Sequence, residues 1–202
     1  MDIAKKQISL TIGQQEALAR MFDWNKTHKI DSKFTLIGSA GTGKSTVIGY
    51  FIPQCGIPKN KIAVSAPTHK AKTVITKFTG LEGFTLQALI GLRPDTELEN
   101  FDINNPMFAP ISEPRIALFD LVVIDECSMV NKALKEHLDR QSQIFGTKII
   151  YLGDEKQLPP INEKISTTFT EVEHTFRLTE IVRQNNTNPL MEIINSLKES
   201  SP

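Results

Sequence analysis

The 202-residue chain balances 23 Lys and Arg against 23 Asp and Glu, with 40% hydrophobic and 23% charged residues. That composition fits one ordinary α/β domain, and it excludes a uniformly basic, unspecific nucleic-acid binder while leaving room for a local basic groove. Two cysteines, Cys55 and Cys127, are too few for a disulfide framework. The opening MDIAKKQISL reads as no secretory signal, and no apolar run approaches the roughly 18 residues of a membrane span.

Thr11 and Gln14 have capping-box spacing, and Ala17, Leu18, Met21 and Phe22 form a helical stripe, so a helix is predicted over 12–25 with Trp24 packing it. Phe34 to Ile37 reads as a buried strand ending at Gly38. A glycine-rich loop follows, then a helix from Lys44 to Phe51 stopped by Pro53. Ile62 to Ser65 is a second strand. Thr68 caps a helix through Ala71, Val74, Ile75 and Phe78 to Gly80, and FTLQALIGL reads as a short helix capped by Thr85 and closed by Gly91. Residues 93–115, with Pro94, Pro106, Pro110 and Pro114, read as an excursion from the core, a small hairpin or lobe.

Leu121 to Ile124 is nearly all apolar, as expected of a parallel strand covered on both faces. Val130, Leu134 and Leu138 repeat at helical spacing, and Lys148 to Leu152 is a further strand. Residues 162–176 do not separate into strand and loop, and a short helix is expected from Leu190. Strands alternating with helices predict an α/β fold with a mostly parallel sheet. The whole of 1–202 reads as one domain carrying the 93–115 insertion.

GSAGTGKST, residues 38–46, matches G-x-x-x-x-G-K-[ST] and sits between a strand and a helix, as that motif requires. Gly38, Ser39, Ala40, Gly41, Thr42, Gly43, Lys44, Ser45 and Thr46 are therefore the expected phosphate cradle. Lys44 should reach the β- and γ-phosphates, and Ser45 should coordinate Mg²⁺. The strand ending at Ile124 delivers Asp125 and Glu126: the first is a candidate for holding Mg²⁺ through water, the second for activating a water molecule. YLGDEKQLPPI, residues 151–161, brings Gln157 to the same edge. Its uncharged amide suits contact with a terminal phosphate, and Pro159 and Pro160 stiffen the loop. A small-molecule or nucleoside kinase uses the same loop, with the acid activating a substrate hydroxyl. A nucleotide- or protein-binding module that no longer hydrolyses is a third reading. His28, His137 and His174 are too dispersed for a metal cluster.

From TIGQQEAL to LTEIVRQ these segments resemble a superfamily 1 DNA helicase, of the RecD-like and phage accessory kind that travels 5′ to 3′. The resemblance implies a RecA-like P-loop NTPase domain that uses ATP and Mg²⁺ and binds single-stranded DNA. It implies that Gln14 reads the adenine edge. APTHKA would contact single-stranded DNA through Thr68, His69 and Lys70, and TLQALIGL through Thr85. Arg183 would approach the γ-phosphate. From residue chemistry alone, His69 and Lys70 read equally as an exposed polar pair, Thr85 as a plain N-cap, and Arg183 as a partner for Glu180. Gln87 and Ala88 depart from the histidine and serine common in the family.

The family has a second motor domain, so the chain to Pro202 reads as the first motor alone, with the second expected in a full-length protein. On that reading the isolated chain is a weak ATPase that does not unwind. The resemblance also implies a monomer in the cytoplasm of a bacterial or phage-infected cell, working with replication or repair proteins. In the family the place of 93–115 carries a lobe or pin. Phe101 and Phe108 would either stack on bases there or fasten the excursion to its own domain.

Overall fold

The computed structural model describes residues 10–27, 31–94, 108–110 and 113–182. In chain order the elements are α1 (Ile12–Thr27), β1 (Lys33–Gly38), α2 (Lys44–Phe51), β2 (Ile62–Ala66), α3 (His69–Thr79), β3 (Glu82–Thr85), α4 (Leu86–Leu89), β4 (Leu92–Pro94), β5 (Phe108–Pro110), β6 (Leu121–Ile124), α5 (Lys132–Phe145), β7 (Lys148–Gly153) and β8 (His174–Leu178). Six strands join in the order β3-β2-β6-β7-β1-β8, and every pairing is parallel. Among the described residues no helix is long and apolar enough to cross a membrane.

The central strands are apolar on both sides because both faces of the sheet are covered. Side chains alternate across a strand with period two. Leu121 and Val123 of β6, with Ile150 and Leu152 of β7, face a core shared with α1, α2 and α3. Val122, Ile124, Ile149 and Tyr151 face the other core, with Leu134 and Leu138 of α5 and Leu86 and Leu89 of α4. Trp24 is 2% exposed and lies 5.6 Å, centroid to centroid, from Phe34, so it fastens α1 to β1.

Local chemistry sets the helix starts. Thr11 and Gln14 form a reciprocal capping box, with Gln14 N–H donating to Thr11 Oγ1 at 3.3 Å and Thr11 N–H to Gln14 Oε1 at 3.1 Å. Thr68, Thr85 and Asn131 cap α3, α4 and α5 in the same manner, each accepting a backbone N–H three residues on. α2 ends at Phe51, as expected of a helix followed by Pro53, and the proline enters a 3₁₀ turn, Ile52–Gln54, where its missing N–H costs no hydrogen bond.

Two strands escaped the sequence reading. β3 precedes the predicted Thr85 helix, and its Gly83 resembles a turn residue. A Cβ there would meet Thr76 Oγ1 at 1.9 Å, so glycine lets this strand lie tight against α3. β8 emerges from the ambiguous 162–176 stretch as an edge strand paired with β1. The ends of the 93–115 excursion pair as an antiparallel ladder, β4 with β5. Phe101 and the helix expected from Leu190 lie outside the described residues, and for Phe108 only the backbone is described.

Candidate functional site

The C-terminal end of each parallel strand opens at one edge of the sheet, which is where open α/β sheets bind ligands. Because β6, β7 and β1 are neighbours, the loops after them stand side by side. They carry Asp125 and Glu126, then Asp154 to Gln157, then the glycine loop.

β1 turns directly into that loop. Thr42 donates to the Ser39 carbonyl twice, from N–H at 3.2 Å and from Oγ1 at 2.9 Å, and so closes the turn. Gly43 has φ 83°, and α2 starts with no side chain capping its first N–H groups. That backbone conformation is strained for any residue with a Cβ. The uncapped N–H groups and the positive end of α2 together form an anion receptor. Lys44 Nζ donates to the Gly38 carbonyl at 2.5 Å, so its ammonium is held over the loop. Ala40, Gly41 and Ser45 are exposed, Ser39 and Thr46 are half-buried, and Thr42 is buried.

Gln14 does more than cap a helix. Its Nε2 donates to the Thr42 carbonyl at 3.0 Å, and the residue is 3% exposed. The side chain therefore ties the start of α1 to the glycine loop, on top of Gly43. Its amide is engaged on both sides, by Thr11 N–H and by the Thr42 carbonyl.

Asp125 Oδ1 accepts the N–H of Glu126 at 2.9 Å. Burial raises the Asp125 pKa, while that N–H and the charge of Lys44 pull it down. Glu126 has φ 55° and ψ 40°, left-handed backbone in a residue other than glycine. Such strain persists where the surroundings impose it, and it concentrates at functional sites. Burial comes first and the charge of Asp125 second in raising the Glu126 pKa; Lys44 opposes the rise, Asp154 adds to it, and a hydrogen bond from Gln157 opposes it again. A carboxyl pushed upward in this way is a better proton acceptor near neutral pH.

Gln157 is exposed and lies beside the acid pair, bonded to Glu126. Its Oε1 accepts from Ser128 Oγ at 3.4 Å, a long bond. The loop beneath it is held by Asp154, which is 7% exposed, accepts Lys156 N–H on Oδ1 at 3.0 Å and takes Gln157 N–H on its carbonyl at 3.1 Å. Pro160 is buried and Pro159 exposed, so one proline anchors the loop and the other stiffens its surface. Asp154 follows the strand-ending glycine to this edge, as its place in the sequence led one to expect, whereas Ser128 was missed and carried no local signal.

The donor set at Asp125 and Ser45 is oxygen only. Among the described residues there is no group of three or more His, Cys, Asp or Glu that would cage a metal unaided. An oxygen-only donor set is the kind that suits Mg²⁺, a hard cation.

β2 pairs with β6, and β3 with β2, so Thr68 and Thr85 follow strand ends on the same edge, beyond the acid pair. Each spends its hydroxyl as a cap, Thr68 toward Ala71 N–H at 3.2 Å and Thr85 toward Ala88 N–H at 3.3 Å. His69 and Lys70 are exposed. At the opposite end of the sheet, the segment after β8 returns to the glycine loop, where Val182 N–H donates to the Gly41 carbonyl at 3.0 Å. Arg183 itself lies outside the described residues.

The sequence profile of the AAA domain family matches residues 9–201. The ATP-dependent DNA helicase dda of Enterobacteria phage T4 is 30% identical over 183 residues, covering 87% of this chain and 40% of that protein. Uncharacterized protein R530 of Acanthamoeba polyphaga mimivirus is 31% identical over 181 residues, covering 79% of this chain and 35% of that protein. The crystal structure of Pif1 helicase from Bacteroides in complex with ADP-AlF3 and ssDNA aligns with a TM-score of 0.58 and 26% identity, over 95% of this chain and 46% of that one. The chain thus spans less than half the length of each of these relatives.

Proposed function

The chain belongs to the AAA domain family, and its fold is that of a superfamily 1 RecD/Pif1-like DNA helicase motor domain; from that premise we propose that it hydrolyses ATP in response to single-stranded DNA. In the full-length protein a second motor domain converts this cycle into 5′ to 3′ translocation and unwinding. The observation that carries the proposal is the order of loops along one sheet edge. The DNA-contact candidates follow β3 and β2, the acid pair follows β6, Gln157 follows β7, and the phosphate loop follows β1.

Lys44 leaves the Gly38 carbonyl to bind the β- and γ-phosphates, while the N–H groups at the start of α2 hold the remaining oxygens. Ser45 and Asp125 would hold Mg²⁺, which when bound neutralises phosphate charge. Glu126 orients the attacking water and takes its proton. Gln157 bonds to Glu126 and so feels the state of the terminal phosphate, and its proline-stiffened loop carries the change outward. Arg183, which follows the Val182 anchor on the glycine loop, completes the phosphate contacts. Gln14 supports the loop from the side of α1 and contributes to recognition of the base. Thr68, His69, Lys70 and Thr85 line the DNA path.

Nucleotide binding with Lys44→Ala tests the site. The variant should lose ATP affinity by about ten-fold or more and keep its melting temperature. Normal ATP affinity in this variant would remove the assigned cradle. Phosphate transfer to an added nucleoside, with no response to DNA, would establish a kinase instead.

A further inference from the structure

Charge is distributed unevenly over this neutral molecule. From Ser32 to Leu81 the sequence holds seven lysines and no arginine, aspartate or glutamate. Lys44 belongs to the glycine loop, and Lys33 lies 3.7 Å from Asp139 in an ion pair. Three of the rest define a continuous surface. On α3, Lys70, Thr73, Val74 and Lys77 recur at helical spacing and are exposed, while Ile75 on the inner face is 1% exposed. Lys59 is also exposed, and its Nζ lies 3.6 Å from where a Cβ on Gly80 would stand, at the residue that closes α3. A basic stripe therefore runs the length of the helix.

Stability does not account for it. Lys59, Lys70 and Lys77 form no ion pair with any described acid, although Glu82 and Asp120 stand on adjoining elements. The dipole of α3 favours Lys59 near its C-terminus but disfavours Lys70 near its N-terminus, where the first turn holds no acid. Mutually repelling, unpaired ammonium groups on one helix face call for an anionic partner.

We infer that the outer face of α3 is a second DNA-backbone surface, one that holds duplex DNA continuous with the single strand bound at Thr68–Lys70. The inference rests on the proposed function. The surface chemistry favours duplex over more single strand. Single strands are held in grooves with aromatic rings for the bases to stack on. The stripe is a convex helix face rather than a groove, and the adjacent ring, Phe78, though 52% exposed, is laid against α2, with its Cζ 3.3 Å from where a Cβ on Gly49 would stand. Lysines act as point charges, which suits phosphates read without sequence. Lys70 and Lys77 are two helical turns apart, a rise of about 10.5 Å, or about three base pairs of duplex.

The test measures the affinity of the chain for a single strand, a blunt duplex, and the same single strand joined to the duplex, across a salt series. The joined DNA should bind more tightly than the single strand. Lys59→Gln with Lys77→Gln should weaken the joined DNA by roughly ten-fold and lower its salt slope by about 2, with the single strand within about two-fold. An unchanged melting temperature shows that the variant is folded, and Lys59→Arg with Lys77→Arg should restore binding. Equal losses on single strand and joined DNA, or no loss on the joined DNA, would overturn the inference. A wild-type chain that binds single strand but gains nothing from the duplex would defeat this inference alone; one that binds no single strand would defeat the proposed function as well.

Discussion

Glu126 joins two costs in one residue. Its carboxyl sits beside Asp125 with its pKa raised by burial and by that neighbour, and its backbone is left-handed at φ 55°. Strain of this kind costs about 1–3 kcal/mol. Chemistry and strain separate by substitution. Glu126→Gln should lower turnover by about 10²–10⁴-fold with ATP affinity nearly unchanged, measured by single-turnover phosphate release and direct nucleotide binding. Glu126→Gly should be equally inactive yet keep or raise the melting temperature, because glycine removes the strain at some entropic cost. A glycine variant that melts well below the wild type would show that the backbone there is unstrained. The acid pair was legible in the sequence, since an apolar strand ending in two carboxylates is a local pattern. The left-handed backbone was not, because it arises from packing around the strand end. Gln14 was legible as a cap, but its bond to the Thr42 carbonyl joins residues 28 positions apart and has no local signature.

At the scale of elements, local capping and period-two burial made most of the fold readable. α1, β1, α2, β2, α3, β6, α5 and β7 follow from them. The edge strands did not. β3 is four residues long and contains a glycine, and β8 has one neighbour among the described residues and a half-exposed pattern. Gly83 gives the reason its own test. Gly83→Ala should destabilise the protein by about 1–3 kcal/mol through the clash with Thr76. Thr76 is stiff at χ1 and cannot swing away freely. Thr76→Ala in the same chain should return much of that loss, read as a coupling energy in a double-mutant cycle by denaturant unfolding. Additive effects would mean that the strand has room to move. The ion pair of the buried Lys135 with Glu171, 3.2 Å apart, was equally hidden from the sequence, because Glu171 is distant in the chain; its pair with Asp139, 2.8 Å away, has the local i,i+4 spacing of a helix.

At the scale of the whole molecule, the sheet edge sets the proposed DNA contacts and the proposed phosphate contacts in order along one side. Gln157 stands between the acid pair and a surface where Leu158 is 86% and Ile161 74% exposed. Phosphate release at saturating ATP and Mg²⁺, with and without single-stranded DNA, tests most directly whether this edge links nucleotide to DNA. The account predicts slow release that single-stranded DNA accelerates, with both rates abolished by Lys44→Ala. Release that is indifferent to DNA, in a chain that binds both ligands, would contradict it.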